Sequence, residues 1–142
     1  MLVRLLYTSR SASPLTPEIA DVILTASRKV NPSLGITGLL CYSGDIFLQV
    51  LEGGREAVNQ LYNTISRDPR HHDVVILHYE EITERRFAGW TMGQVNLDRV
   101  NPSILLKYSE KPALDPYALS GQVSMALLEE LIATACIVSR PC

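Results

Sequence analysis

The chain has 142 residues, 46% of them hydrophobic and 20% charged, with a formal net charge of −2 at pH 7. That balance describes one ordinary domain able to bury a core, and it excludes a disordered or fibrous chain. It offers no basic footprint for nucleic acid and no apolar run of the ~18 residues that would span a membrane.

The opening "MLVRLLYTSR" is too short and too interrupted for a signal peptide. Cys41, Cys136 and Cys142 are odd in number, widely spaced and form no CxxC, which points to a reducing cytoplasm. Cys41 lies in an apolar run and reads as a small core residue.

Residues 2–9 predict a strand, with Val3, Leu5 and Tyr7 on one face and Leu2, Arg4, Leu6 and Thr8 on the other. Thr16, Pro17 and Glu18 then form a helix start, as N-cap, first helical residue and first-turn acid. Ile19, Val22, Ile23, Ala26 and Val30 make the apolar stripe of that helix, and Asn31-Pro32 should stop it. "GITGLLCYS" (35–43) and "DIFLQVLEG" (45–53) read as two strands joined by a tight turn at 43–45, a hairpin. Both faces of the pair are largely apolar, so the sheet should be covered on both sides.

A second helix is expected over 54–68, with Ala57, Val58, Leu61, Tyr62 and Ile65 as its stripe. Residues 73–80 read as a fourth strand. Residues 81–90 form a charged connection, and 90–97 a weakly alternating fifth strand at an edge. Asn101-Pro102 opens a short helix to residue 109. Residues 116–139 form a longer apolar helix, divided around Gly121. The fold class is therefore α+β, a ferredoxin-like β-α-β-β-α-β-β order. It should carry two helices on one sheet face and the C-terminal helices on the other.

Gln49 is the anomaly in this pattern. A carboxamide buried in an apolar strand costs about 1–3 kcal/mol if unpaired. Tyr7 lies on the neighbouring strand, so a phenol and an amide would be buried together. From pattern alone they read as a satisfied structural pair or as a functional one. Asn31 is a helix-stop residue or a ligand amide at the mouth of the groove between the helices. In "RDPRHH" (67–72), Asp68, Arg70, His71 and His72 lack the spacing of metal ligands and read as a solvated turn, or as an Arg and Asp framing a planar heterocycle. Trp90 and Met92 stand two apart on the predicted fifth strand and read as packing, and Ser27 as a neutral helix position. There is no GxGxxG, P-loop, GxSxG or HExxH. "LEGGRE" is a weak anion-binding signal at a helix start.

Four stretches resemble one family, the BLUF domains, blue-light sensors that use flavin. They are "RLLYTSR", "SRKVNPSLGITGLLCYSGDIFLQVLEG", "ISRDPRHHDV" and "RRFAGWTM", across residues 2–97. "LKYS" at 106–109 and the C-terminal helices further resemble short stand-alone members of cyanobacterial type. The resemblance implies noncovalent FAD, with its isoalloxazine slotted between the two sheet-packed helices. It makes Tyr7 the photoactive tyrosine and Gln49 the essential glutamine. It places Asn31 at the carbonyl edge of the ring and Arg70 and Asp68 at its pyrimidine side. It places Ser27, Trp90 and Met92 near the flavin or Gln49, with His71 in the same motif. Val30 departs from the family pattern, since several relatives hold a histidine or asparagine there.

The mechanism so implied is electron and then proton transfer from Tyr7 to the photoexcited flavin. Gln49 switches its hydrogen bonds by tautomerisation or rotation, and the red-shifted signalling state decays in the dark. No substrate is turned over. The expected organisation is a flavin domain over 1–97 and a helical extension over 98–142, which packs on the sheet or mediates assembly. A chain this short should signal in the cytoplasm to a separate partner, either response-regulator-like or a cyclic-di-nucleotide enzyme. The apolar extension suits a homo-oligomer, a dimer or larger ring. Two further readings stand beside this one: a small acylphosphatase-like hydrolase, which lacks its glycine-rich phosphate loop here, and a ligand-binding regulatory module without light chemistry.

Overall fold

Apolar residues on both faces of three successive strands produce a sheet that is buried on both sides. The computed structural model describes residues 1–13, 15–16, 18–19 and 33–134. β1 (Leu2–Ser11) is followed by β2 (Thr37–Ser43), β3 (Ile46–Gly54) and α1 (Arg55–Arg67). Next come β4 (His71–Ile82), β5 (Gly93–Asn96), α2 (Pro102–Tyr108) and α3 (Gly121–Thr134). Short 3-10 turns at Leu97–Arg99 and Pro116–Ala118 lead into α2 and α3. The apolar segment after residue 116 is therefore divided just before Gly121, where a division was expected.

The strand order is β4-β1-β3-β2-β5. β1 is antiparallel to both β3 and β4, and β2 is antiparallel to β3. β5 lies parallel to β2 at the edge. This is the expected α+β, ferredoxin-like arrangement. β2 and β3 close over Gly44-Asp45, and Gly44 takes the positive φ of 59° that a two-residue hairpin needs. β4 starts two residues earlier than predicted and is bulged: its register against β1 shifts between Leu6 and Tyr7 and again between Thr8 and Arg10. Asp73 sits at the second shift with φ 52°, a left-handed conformation that aspartate tolerates better than most residues.

Most of the predicted first helix, including Ser27, Val30 and Asn31, lies outside the described residues. Its start is seen, because the Ile19 N–H donates to Thr16 Oγ1 at 3.3 Å, the expected N-cap bond. Its expected stop at Asn31-Pro32 lies outside the described residues, and Ser33 and Leu34 just after it are helical.

Strand alternation sorts the core into two layers. On one face, Val3, Leu5, Tyr7, Phe47, Leu51 and Met92 pack with Val58, Leu61, Tyr62 and Ile65 of α1. On the other, Leu6, Leu39, Cys41, Leu48 and Val50 pack with Phe87 and with Leu127, Leu128 and Leu131 of α3. Each of those three fully buried leucines contributes about 1.5–3 kcal/mol of apolar burial. α3 reaches the sheet closely at its first residue: a Cβ on Gly121 would lie 2.0 Å from the Leu77 carbonyl oxygen. Among the described residues, no helix is long and apolar enough to cross a membrane.

Candidate functional site

Tyr7 on β1 and Gln49 on β3 stand directly opposite each other in the ladder. Both point to the α1 side of the sheet, Tyr7 at 1% exposure and Gln49 at 6%. The phenol donates a short hydrogen bond to Gln49 Oε1. Gln49 Nε2 in turn donates to Met92 Sδ at 3.3 Å. The buried amide thus has a strong partner at its oxygen and a weak one at its nitrogen, because a thioether accepts poorly. Rotating the amide by half a turn would bring nitrogen to the phenol and oxygen to the sulfur. The backbone need not move for that exchange, but the exchange gives up the bond to Met92, because an amide oxygen and a thioether are both acceptors.

Tyr62 of α1 meets the Tyr7 ring edge to face, with centroids 5.9 Å apart and planes at 73°. Burial, and secondarily the nearby Tyr62, push the Tyr7 phenol well above its ordinary pKa. Tyr7 is therefore held neutral, with its proton on the phenol oxygen.

His71 opens β4 at the end of the same face. Its Nδ1 lies 2.9 Å from Ser9 Oγ, and its ring rests 4.8 Å from that of Phe47. Partial burial lowers its pKa from the ordinary histidine value and favours the neutral ring. Asp68 is the C-cap of α1. Arg70 Nε reaches both its oxygens at 3.1 and 3.0 Å, and Nη2 reaches Oδ2 at 2.6 Å. The hydrogen bond from Arg70 is the main reason that the Asp68 pKa falls to about 2. The pair is outward-facing, with the Arg70 side chain 58% exposed.

The structure separates two residues that the sequence places together. A strand over 90–97 would put Trp90 and Met92 on one face. Instead β5 begins at Gly93, and the chain before it is turned. The Trp90 N–H donates to the Phe87 carbonyl at 3.0 Å, and the Trp90 carbonyl accepts from the Gly38 N–H at 2.9 Å. Off the strand, the two-residue alternation no longer applies. Met92 enters the layer that holds Tyr7, and Trp90 packs with the opposite layer under α3. Met92 is thus the neighbour of Gln49. Ser27 and Asn31 lie outside the described residues.

One charged constellation, buried at Arg4 and Glu52, was missed. Arg4 stands between Glu52 and Glu80 in register across β3, β1 and β4. Its Nε and Nη2 donate to Glu52 Oε2 at 2.8 and 2.7 Å, and its Nη1 to Glu80 Oε1 at 2.6 Å. Glu52, at 0% exposure, also accepts the backbone N–H groups of Arg86 at 3.1 Å and Phe87 at 2.7 Å. A charge inside each of the apolar runs "LVRLLY" and "LQVLEG" was the available signal. It is the same kind of anomaly as Gln49. Among the described residues, no group of three or more His, Cys, Asp or Glu side chains is placed to hold a metal ion.

Comparison with known proteins points to one family. The model of the BLUF family, described as sensors of blue-light using FAD, matches residues 2–93. The chain is similar to photoactivated adenylate cyclase subunit beta of Euglena longa, with 41% identity over 93 residues. That match takes in 64% of this chain but 11% of the relative, so the chain spans only about a tenth of its length. It is similar throughout to the dark-state structure of the BLUF protein BlrB, with a TM-score of 0.75 and 37% identity over 95% of this chain and 97% of that one. The photo-activated state of BlsA matches with a TM-score of 0.79 and 30% identity, covering 100% of this chain and 99% of the other.

Proposed function

The chain belongs to the BLUF family of blue-light sensors, and we propose that it senses light through FAD held against the Tyr7–Gln49–Met92 triad. BLUF domains are flavin-based photosensory modules rather than enzymes. The observation that carries the reading is the buried amide of Gln49, placed between a phenol and a thioether that bonds it only weakly.

The residues present fit a flavin. Its ring is planar, apolar on its faces and polar round its edge. The α1 face of the sheet offers the rings of Phe47 and Tyr62 and the Gln49 amide, whose weak sulfur partner leaves it suited to a stronger acceptor. In this reading Ser27, Asn31, Gln49, Asp68, Arg70 and His71 hold the cofactor. Asp68 fixes the Arg70 fork, and His71 stays neutral beside Phe47. When bound, the isoalloxazine supplies blue-light absorption and a light-triggered electron acceptor.

The protein residues do the rest. Tyr7 gives up an electron, and its hydroxyl proton leaves along the existing bond toward Gln49 Oε1. Gln49 then changes its hydrogen bonding by rotation or tautomerisation, and Tyr7 is restored when the charge returns. The exchanged amide gives the red-shifted state and alters the donor that reaches Met92. That change lies next to β5, with Trp90 nearby under α3, so residues 1–97 act as the sensor and 98–142 as the output extension. The recipient is a separate protein in the cytoplasm, response-regulator-like or a cyclic-nucleotide or cyclic-di-nucleotide enzyme. The Euglena relative's adenylate cyclase name supports the cyclic-nucleotide class. Self-association of the extension into a dimer or ring completes the proposal.

The test is direct. The purified chain should be yellow and release FAD on denaturation. Its spectrum should shift to the red under blue light and recover in darkness. Tyr7→Phe and Gln49→Leu should each lose the shift and keep the flavin. A protein that shows no shift after reconstitution with FAD, or a normal photocycle in either variant, overturns the assignment.

A further inference from the structure

Residues 83–92 contain no helix or strand, yet they deliver Met92, at 0% exposure, to the Gln49 amide. Something must fix a stretch of irregular backbone well enough to hold a 3.3 Å contact. Its hydrogen bonds identify the anchor. The N–H groups of Arg86 and Phe87 both end on the Glu52 carboxylate, which Arg4 grips from the other side. Two charge-assisted bonds from backbone N–H groups to a fully buried carboxylate make a stiff joint. The Phe87 side chain is buried in the α3 layer beside it.

Glu52 and Gln49 lie on the same strand, three residues and roughly 10 Å apart, and face opposite sides of the sheet. One rigid element therefore holds the segment at both ends, at residues 86–87 through Glu52 and at Met92 through Gln49. Between them, the Trp90 carbonyl is tied to the Gly38 N–H on β2. We propose that Glu52 is a positioning residue for the light switch: its carboxylate sets where the Met92 sulfur stands relative to the Gln49 amide. The proposal rests on the reading of Gln49 as the switch, but its structural half is testable without light.

Three measurements on the full chain decide it. In the dark, Glu52→Gln should shift both the Met92 methyl and the Gln49 side-chain amide resonances. A carboxylate that merely stabilised the fold would leave both in place, and unmoved signals overturn the proposal. In the FAD-loaded protein, Glu52→Gln and Met92→Ala should each change the dark-recovery rate several-fold. The Glu52→Gln effect should vanish in the Met92→Ala background, and independent, multiplying effects overturn the proposal. If Glu52→Gln does not fold, hydrogen exchange in the wild type serves. The Arg86 and Phe87 amides should be protected like those of β3, and exchange at open-loop rates rules the anchor out. Should no photocycle exist at all, the resonance and exchange measurements still give their answer.

Discussion

Exchanging both members of the Tyr7–Gln49 pair for apolar residues should be less damaging than the two single changes suggest. In Tyr7→Phe the Gln49 carbonyl oxygen stays buried and loses its donor. In Gln49→Leu the Tyr7 hydroxyl is buried with its acceptor gone. Each orphaned group costs about 1–3 kcal/mol. The double variant leaves no orphan across that pair, and Phe and Leu are close in shape to the residues they replace, so the second change should add little. The coupling energy should therefore be about 1–3 kcal/mol in the direction that makes the double variant more stable than the sum. Urea unfolding of the four proteins under identical flavin conditions measures it from the midpoints, provided the slopes agree. Additive effects, with coupling below about 0.5 kcal/mol, would show that the phenol and amide do not depend on each other, and the switch argument would lose its physical basis.

Two further outcomes follow from packing and charge. Phe87→Ala should cost about 3–5 kcal/mol in the same assay, because the ring is at 0% exposure in the α3 layer; Leu106→Ala, at a residue half exposed, should stay within about 0.5 kcal/mol. Asp68 has a folded pKa lowered from 3.8 to about 2, so its contribution is present above pH ~4 and is lost as pH falls through about 2. With Arg70 58% exposed, that contribution is about 0.2–1 kcal/mol. The stability gap between wild type and Asp68→Asn should close over that window, and a gap of equal size at both ends would contradict it.

The sequence announces most of the fold through periodicity. The α1 stripe, the hairpin with its glycine turn and the strand alternation that faces Tyr7 and Gln49 together are all local signals, and all appear in the structure. What it does not announce depends on neighbours. The double register shift of β4 is set by pairing with β1, which no window of β4 alone contains. The late start of β5, and with it the parting of Trp90 from Met92, accompanies a bond from Gly38 of β2 to the Trp90 carbonyl, a contact with a distant part of the sequence. Arg4 and Glu52 were each visible as a charge in an apolar run, but a charge near a strand end also reads as solvated. Only the register, which sets them opposite each other, makes them a buried pair.

Cys41 lies at the centre of the α3 layer, fully buried, and burial pushes its thiol pKa up to about 12. A thiol in that state reacts only through its thiolate, which it forms only when the layer opens. Its rate of modification by an aqueous thiol reagent is therefore a native clock for the undocking of α3. Timing that clock in darkness and under illumination, with Cys136 and Cys142 replaced, would measure how far light loosens the C-terminal helix from the sheet, with no label on the helix itself.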